Sequence, residues 1–194
     1  MTNRVQTILA FVLLIGAGIG VFYYALRQPP QPAPMRLEQV VTLGKFTAVA
    51  PPRPAPAAQF MTLDGKTKRL ADFQGHWLLL NLWATWCAPC INEMPALQRL
   101  SVKMGDELTV IAVAEDRKGK EAVDPFVATL QLTTLPIALD SPGMIAGALN
   151  VSGLPTTFLI DPKGRIVAKL EGAADWDDER SIRTLTDLMT AKVD

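Results

Sequence analysis

Apolar residues are distributed along the chain in three regimes. From Ile8 to Leu26 they run without a charge, from Arg27 to Ala58 they thin out among prolines, and from Phe60 onward they fall into short runs separated by turn signals. Two of those runs, W-L-L-L-N-L-W (Trp77 to Trp83) and L-T-V-I-A-V-A (Leu108 to Ala114), are nearly unbroken over strand length, which suits strands covered on both faces. Between them Met94, Leu97, Leu100 and Met104 recur at helical spacing and predict a helix over 88–104. Strand, helix, strand is the unit of a parallel pair joined by a right-handed crossover. Further helices are expected over 120–130 and 144–149. T-T-F-L-I (Thr156 to Ile160) and R-I-V-A-K-L (Arg165 to Leu170) flank the turn D-P-K-G and predict an antiparallel hairpin. A closing helix follows the acids Asp175, Asp177, Asp178 and Glu179 and carries Ile182, Leu185, Leu188 and Met189 on one face. The expected fold class is α/β.

The uncharged run at 8–26 is long enough, as a helix, to approach the thickness of a bilayer core. Tyr23 and Tyr24 sit where an aromatic belt would lie, and Arg4 and Arg27 bracket the run. The expectation is a short tail at 1–7, a membrane anchor at 8–26 with a cytoplasmic amino terminus, and a folded domain outside. A cleaved signal peptide is the rival reading, although no convincing A-x-A cleavage site precedes Arg27. Gly16 and Gly20 fit a helix-pairing G-x-x-x-G. Over 27–58 two proline clusters, Pro29 to Pro34 and Pro51 to Pro56, predict a semi-rigid spacer whose backbone does not pair, with a short strand conceivable in between. The globular domain is expected over 59–194.

Charge narrows function only by exclusion. Lys+Arg and Asp+Glu number 19 each in 194 residues, with no basic stripe, so a nucleic-acid groove is not expected. The cysteines say more. Cys87 and Cys90 are the only two, in W-C-A-P-C, where the first core strand meets its helix. Backbone N–H groups at a helix start favour an anion, so the Cys87 thiolate is the expected nucleophile and Cys90 the resolving thiol of a disulfide-exchange centre. Pro89 falls in the first turn, where its missing N–H is not needed. A structural disulfide, half of a zinc site and a copper chaperone using two soft thiolates are the alternatives. The single histidine, His76, precedes the first core strand and reads as an exposed loop residue. No metal and no cofactor is required.

The motifs N-L-W-A-T-W-C-A-P-C-I-N-E-M-P and G-L-P-T-T-F-L-I-D-P-K-G-R-I, and more weakly G-A-A-D-W, resemble the TlpA-like group of membrane-anchored thiol:disulfide oxidoreductases, in the redoxin (AhpC/TSA) branch of the thioredoxin superfamily. The resemblance implies a thioredoxin fold, a central mixed β-sheet flanked by helices. It also implies a Cys87–Cys90 redox disulfide and a cis-proline at Pro155, with Leu154, Thr156 and Trp86 forming the client surface. Asn81 stands where thioredoxins proper carry a buried aspartate, and asparagine accepts no proton. Glu93, one turn beyond Cys90, is a candidate proton relay, with a solvated helix glutamate as the alternative. The family implies a disulfide reductase on the outer, periplasmic face of the bacterial inner membrane. A membrane reductase of the DsbD or CcdA type would supply its electrons, and its clients would be apocytochromes c or copper-delivery proteins.

Overall fold

Strand β4 (Leu78–Trp83) is buried along its whole length and divides the interior in two. Leu79 and Trp83 face one core, Leu78, Leu80 and Leu82 the other, as strand alternation requires. The computed structural model of the chain describes residues 46–191. The expected tail, membrane anchor and most of the proline-rich stretch lie outside the described residues. Among the described residues no helix is long and apolar enough to cross a membrane.

Helix α1 (Ala88–Met104) leaves β4 and returns the chain to β5 (Thr109–Ala114), parallel to β4 in register Leu78↔Thr109 to Trp83↔Ala114. Its buried face is Cys90, Glu93, Met94, Leu97, Leu100 and Met104; removing each of the apolar four from water stabilises the fold by about 2 kcal/mol. Helix α2 (Lys120–Thr129) carries the chain to β6 (Ile137–Leu139), which extends the parallel set beside β5. Helix α3 (Met144–Ala148) precedes β7 (Thr156–Ile160), antiparallel to β4 with Leu82 opposite Thr156. The D-P-K-G turn joins β7 to β8 (Arg165–Glu171); there Asp161 accepts from the Lys163 and Arg165 amides, and Gly164 takes a φ of +77°. Helix α4 (Glu179–Thr190) closes the chain, capped by the Asp178 carboxylate on the Ser181 amide. One core lies under α1 and α4, the other under α3.

Two short strands that periodicity did not reveal, β2 (Gln59–Thr62) and β3 (Thr67–Arg69), form a hairpin on the β6 edge, so the full order is β1-β8-β7-β4-β5-β6-β2-β3. At the opposite edge the expected spacer is corrected. Its last part, Thr47–Pro54, is strand β1, paired antiparallel with β8 at Thr47↔Lys169, Ala48↔Ala168, Arg53↔Ile166 and Pro54↔Arg165. The register shifts between Ala48 and Arg53, which carries Pro51 and Pro52 past the ladder, and an edge strand needs only one of its sides paired. Phe46 and Ala58, on either side of β1, are buried, so the folded unit begins before residue 59.

Candidate active site

The thiol pair sits where the β4–α1 geometry places it. Cys87 is the residue from which α1 starts, with extended φ/ψ of −97° and 96°, and its carbonyl receives the Ile91 amide at 3.1 Å. Cys90 lies one turn on. The two form a disulfide with a Cα–Cα distance of 5.3 Å. Cys87 is 6% exposed and Cys90 wholly buried, so the two sulfurs differ in access. Trp86, immediately before them, is 70% exposed, whereas Trp83 is core. Among the described residues no group of three or more His, Cys, Asp or Glu is placed to hold a metal ion.

Antiparallel pairing of β4 with β7 brings the segment before β7 to the same sheet edge. Leu154–Pro155 is a cis peptide, Pro155 O accepts from the Gly172 amide at 2.9 Å, and Thr156 Oγ1 donates to Gly153 O at 2.7 Å. Leu154 is half-buried and packs against the cluster that contains both cysteines; Pro155 and Thr156 are buried. Pro136, the other proline that opens a strand, has no cis bond.

Glu93 is not a solvated helix glutamate. It is buried on α1 and accepts three N–H donors: Asn81 Nδ2 on Oε1 at 2.9 Å, and the Ala174 amide at 3.0 Å and Trp176 Nε1 at 2.9 Å on Oε2. Donors on both oxygens complement a carboxylate. Asn81, itself fully buried, also donates to Thr157 Oγ1 at 3.0 Å, while its Oδ1 has no hydrogen-bond partner. Trp176 belongs to the weak motif G-A-A-D-W, the only sign in the sequence that this loop serves the site. On its outer side Glu93 lines an open groove with Pro89, Asn92 and Ala173.

A second acidic group went unnoticed in sequence. Glu115 directly follows β5, its amide bonded to Trp83 O at 2.9 Å, and it lines an open groove with Thr85, Trp86, Asp116 and Arg117. Burial first, then the adjacent Asp140 carboxyl, then the charge of Asp116, push its carboxyl from the ordinary 4.5 up to about 8. Asp116 is committed to Thr85, accepting from its amide at 3.0 Å and its hydroxyl at 2.6 Å, and Asp140 to the first amides of α3. Between pH 4.5 and 8 the native state holds a proton on Glu115 that the unfolded chain has released, so this group makes stability fall as pH rises through that window. Glu115→Gln should flatten the fall. Thermal melts of both proteins at pH 5 and pH 9 check it, and parallel losses in the two would contradict it.

Residues 51–169 match the model of the AhpC/TSA family. The chain belongs to the AhpC/TSA family. Similar to this AhpC/TSA protein is the thiol-disulfide oxidoreductase ResA of Geobacillus kaustophilus, 37% identical over 143 residues, covering 72% of this chain and 80% of that one. The thioredoxin-like protein YneN of Bacillus subtilis is 42% identical over 114 residues, covering 58% and 66%. Among solved structures, a thiol:disulfide interchange protein of Chlorobium tepidum superposes with a TM-score of 0.58 at 27% identity, over 71% of this chain and 99% of that one. StoA of Bacillus subtilis does so at 0.54 and 28%, over 62% and 92%. This AhpC/TSA protein is a thiol–disulfide oxidoreductase of the ResA and DsbE type, with a thioredoxin-like fold.

Proposed function

We propose that the protein is a membrane-tethered protein-disulfide reductase whose domain works on the extracytoplasmic face of the bacterial inner membrane. The observation that carries this reading is the asymmetric Cys87–Cys90 pair, one sulfur at the helix start and the other wholly buried. In the reduced protein the Cys87 thiolate attacks one sulfur of a client disulfide. A mixed disulfide forms, and the client's other sulfur leaves as a thiolate and takes up a proton. Cys90 then loses its proton and attacks Cys87 Sγ; the second client sulfur departs, leaving a client dithiol and the Cys87–Cys90 disulfide. Glu93, one turn from Cys90 and lining an open groove, receives the Cys90 proton and passes it outward. Trp86, Leu154, Pro155 and Thr156 form the client surface. The uncharged run at 8–26 supports the membrane tether, and an oxidising compartment requires a DsbD- or CcdA-type membrane donor to restore the dithiol. Apocytochromes c and copper-delivery proteins, whose thiols must be free, are the clients that fit.

Insulin reduction by the full-length chain, with dithiothreitol as electron source, tests the reading. The expected result is catalysed precipitation and a reduction potential nearer the about −270 mV of thioredoxin than the about −120 mV of DsbA. Tight Cu(I) binding without insulin reduction would instead make it a copper chaperone.

A further inference from the structure

Trp176 is wholly buried, and its indole N–H is spent on Glu93 Oε2 at 2.9 Å. That indole packs against a ring from the far end of the described chain. Phe46 meets Trp176 edge to face, with ring centroids 6.1 Å apart and planes at 67°. Phe46 is 5% exposed and lines an open cleft with Leu170, Ala174, Asp178 and Thr184, a cleft that Trp176 itself does not reach. Of the two rings, the phenyl is the one that meets the cleft, and the indole is wholly buried. Its own position is fixed by the next residue, because Thr47 opens the β1–β8 ladder opposite Lys169.

We propose that Phe46 is a positioning residue for the active-site carboxylate, acting through Trp176, so that the end of the proline-rich approach is part of the redox centre's support rather than a passive tether. The physical reason is packing. An edge-to-face aromatic pair fixes both rings, and deleting one leaves space that the neighbour moves into or that water enters from the cleft. Either change loosens a hydrogen bond whose acceptor also holds the Ala174 amide on the same oxygen and Asn81 on the other. The carboxylate then meets the thiol chemistry one turn away in a wetter and less directional setting. The inference rests on the proposed proton role of Glu93.

The test compares the pH profile of iodoacetamide alkylation of the reduced full-length chain in wild type, Phe46→Ala, Phe46→Tyr, Glu93→Gln and the Phe46→Ala/Glu93→Gln double variant. Phe46→Ala is expected to shift the profile in the same direction as Glu93→Gln, changing the alkylation rate on the acid limb, well below the midpoint, about threefold, the effect of half a pKa unit. Phe46→Tyr should stay at wild type, and Phe46→Ala should add nothing once Glu93 is replaced. The indole N–H resonance of Trp176 should move in Phe46→Ala. A folded Phe46→Ala protein whose profile and indole resonance match wild type, while Glu93→Gln shifts the profile, overturns the positioning role and leaves the Glu93 reading standing. A Glu93→Gln profile identical to wild type overturns both. Should Phe46→Ala fail to accumulate, Phe46→Leu, which keeps apolar bulk but no ring edge, is read the same way.

Discussion

Cys87→Ser should lose insulin reduction down to the uncatalysed background, whereas Cys90→Ser should complete the first attack and stop there. The difference follows from access. Cys90 is wholly buried in the core cluster, and a protein disulfide has no approach to it, while Cys87 keeps a small exposed area, 6%, beside Trp86, which is 70% exposed. A serine hydroxyl is far too weak an acid to supply the anion that the start of α1 stabilises. With Cys90 replaced, nothing resolves the mixed disulfide, so client should accumulate covalently on Cys87, visible as a mass adduct released by dithiothreitol. Neither change should unfold the domain, since a bridge across three residues removes little chain entropy. Adduct on Cys90 in Cys87→Ser at a rate matching that on Cys87 in Cys90→Ser would reverse the assignment of roles.

What could be read from the sequence, and what could not, divides by whether the signal is local. The buried strands β4 and β5 are unbroken apolar runs, and α1 repeats its core residues every three to four positions; both patterns lie within a single window. The C-x-x-C pair sits at their junction, so the chemistry was legible for the same reason. Strand β6, Ile137–Leu139, is apolar and buried but too short for a pattern to register, and all three residues of β3 are polar and exposed, so it offers no apolar signature. Strand β1 was hidden by the opposite effect: its prolines argue against pairing, and only the bulge and its edge position reconcile them with the ladder. The surroundings of Glu93 are the clearest case of a non-local feature. Its partners are 12, 81 and 83 positions away, and it was the closure of the sheet and the loop before α4, not any motif spacing, that brought them together. The raised carboxyl of Glu115 has the same origin, since Asp140 reaches it only through the β5–β6 pairing.

Removing the Glu93 carboxylate should be the most destabilising single change at the site. Glu93→Ala leaves the Asn81 amide, the Ala174 N–H and the Trp176 indole N–H without their acceptor in the interior, and a buried donor stripped of its partner costs about 1 to 3 kcal/mol. The three share one cavity and relax together, so their costs overlap and the sum is about 3 kcal/mol. For a domain of this size that corresponds to a fall in Tm of about 10 °C. Glu93→Gln separates stability from charge. Its carbonyl can keep the Ala174 and Trp176 donors, its amino group then faces Asn81, and Asn81 can rotate its amide to offer the Oδ1 that otherwise has no partner. Thr157 can donate to that same oxygen, but the rotated Asn81 Nδ2 then lies where no partner stands, so the uncharged network keeps one unsatisfied buried group. The glutamine variant should therefore melt between wild type and Glu93→Ala, about 1 kcal/mol below wild type, and still differ from wild type in the pH profile of thiol alkylation. Calorimetry on both variants decides the structural half of the argument. An alanine variant as stable as the glutamine one would mean that the donors around residue 93 find acceptors elsewhere, and the carboxylate would then be a passenger in its own pocket.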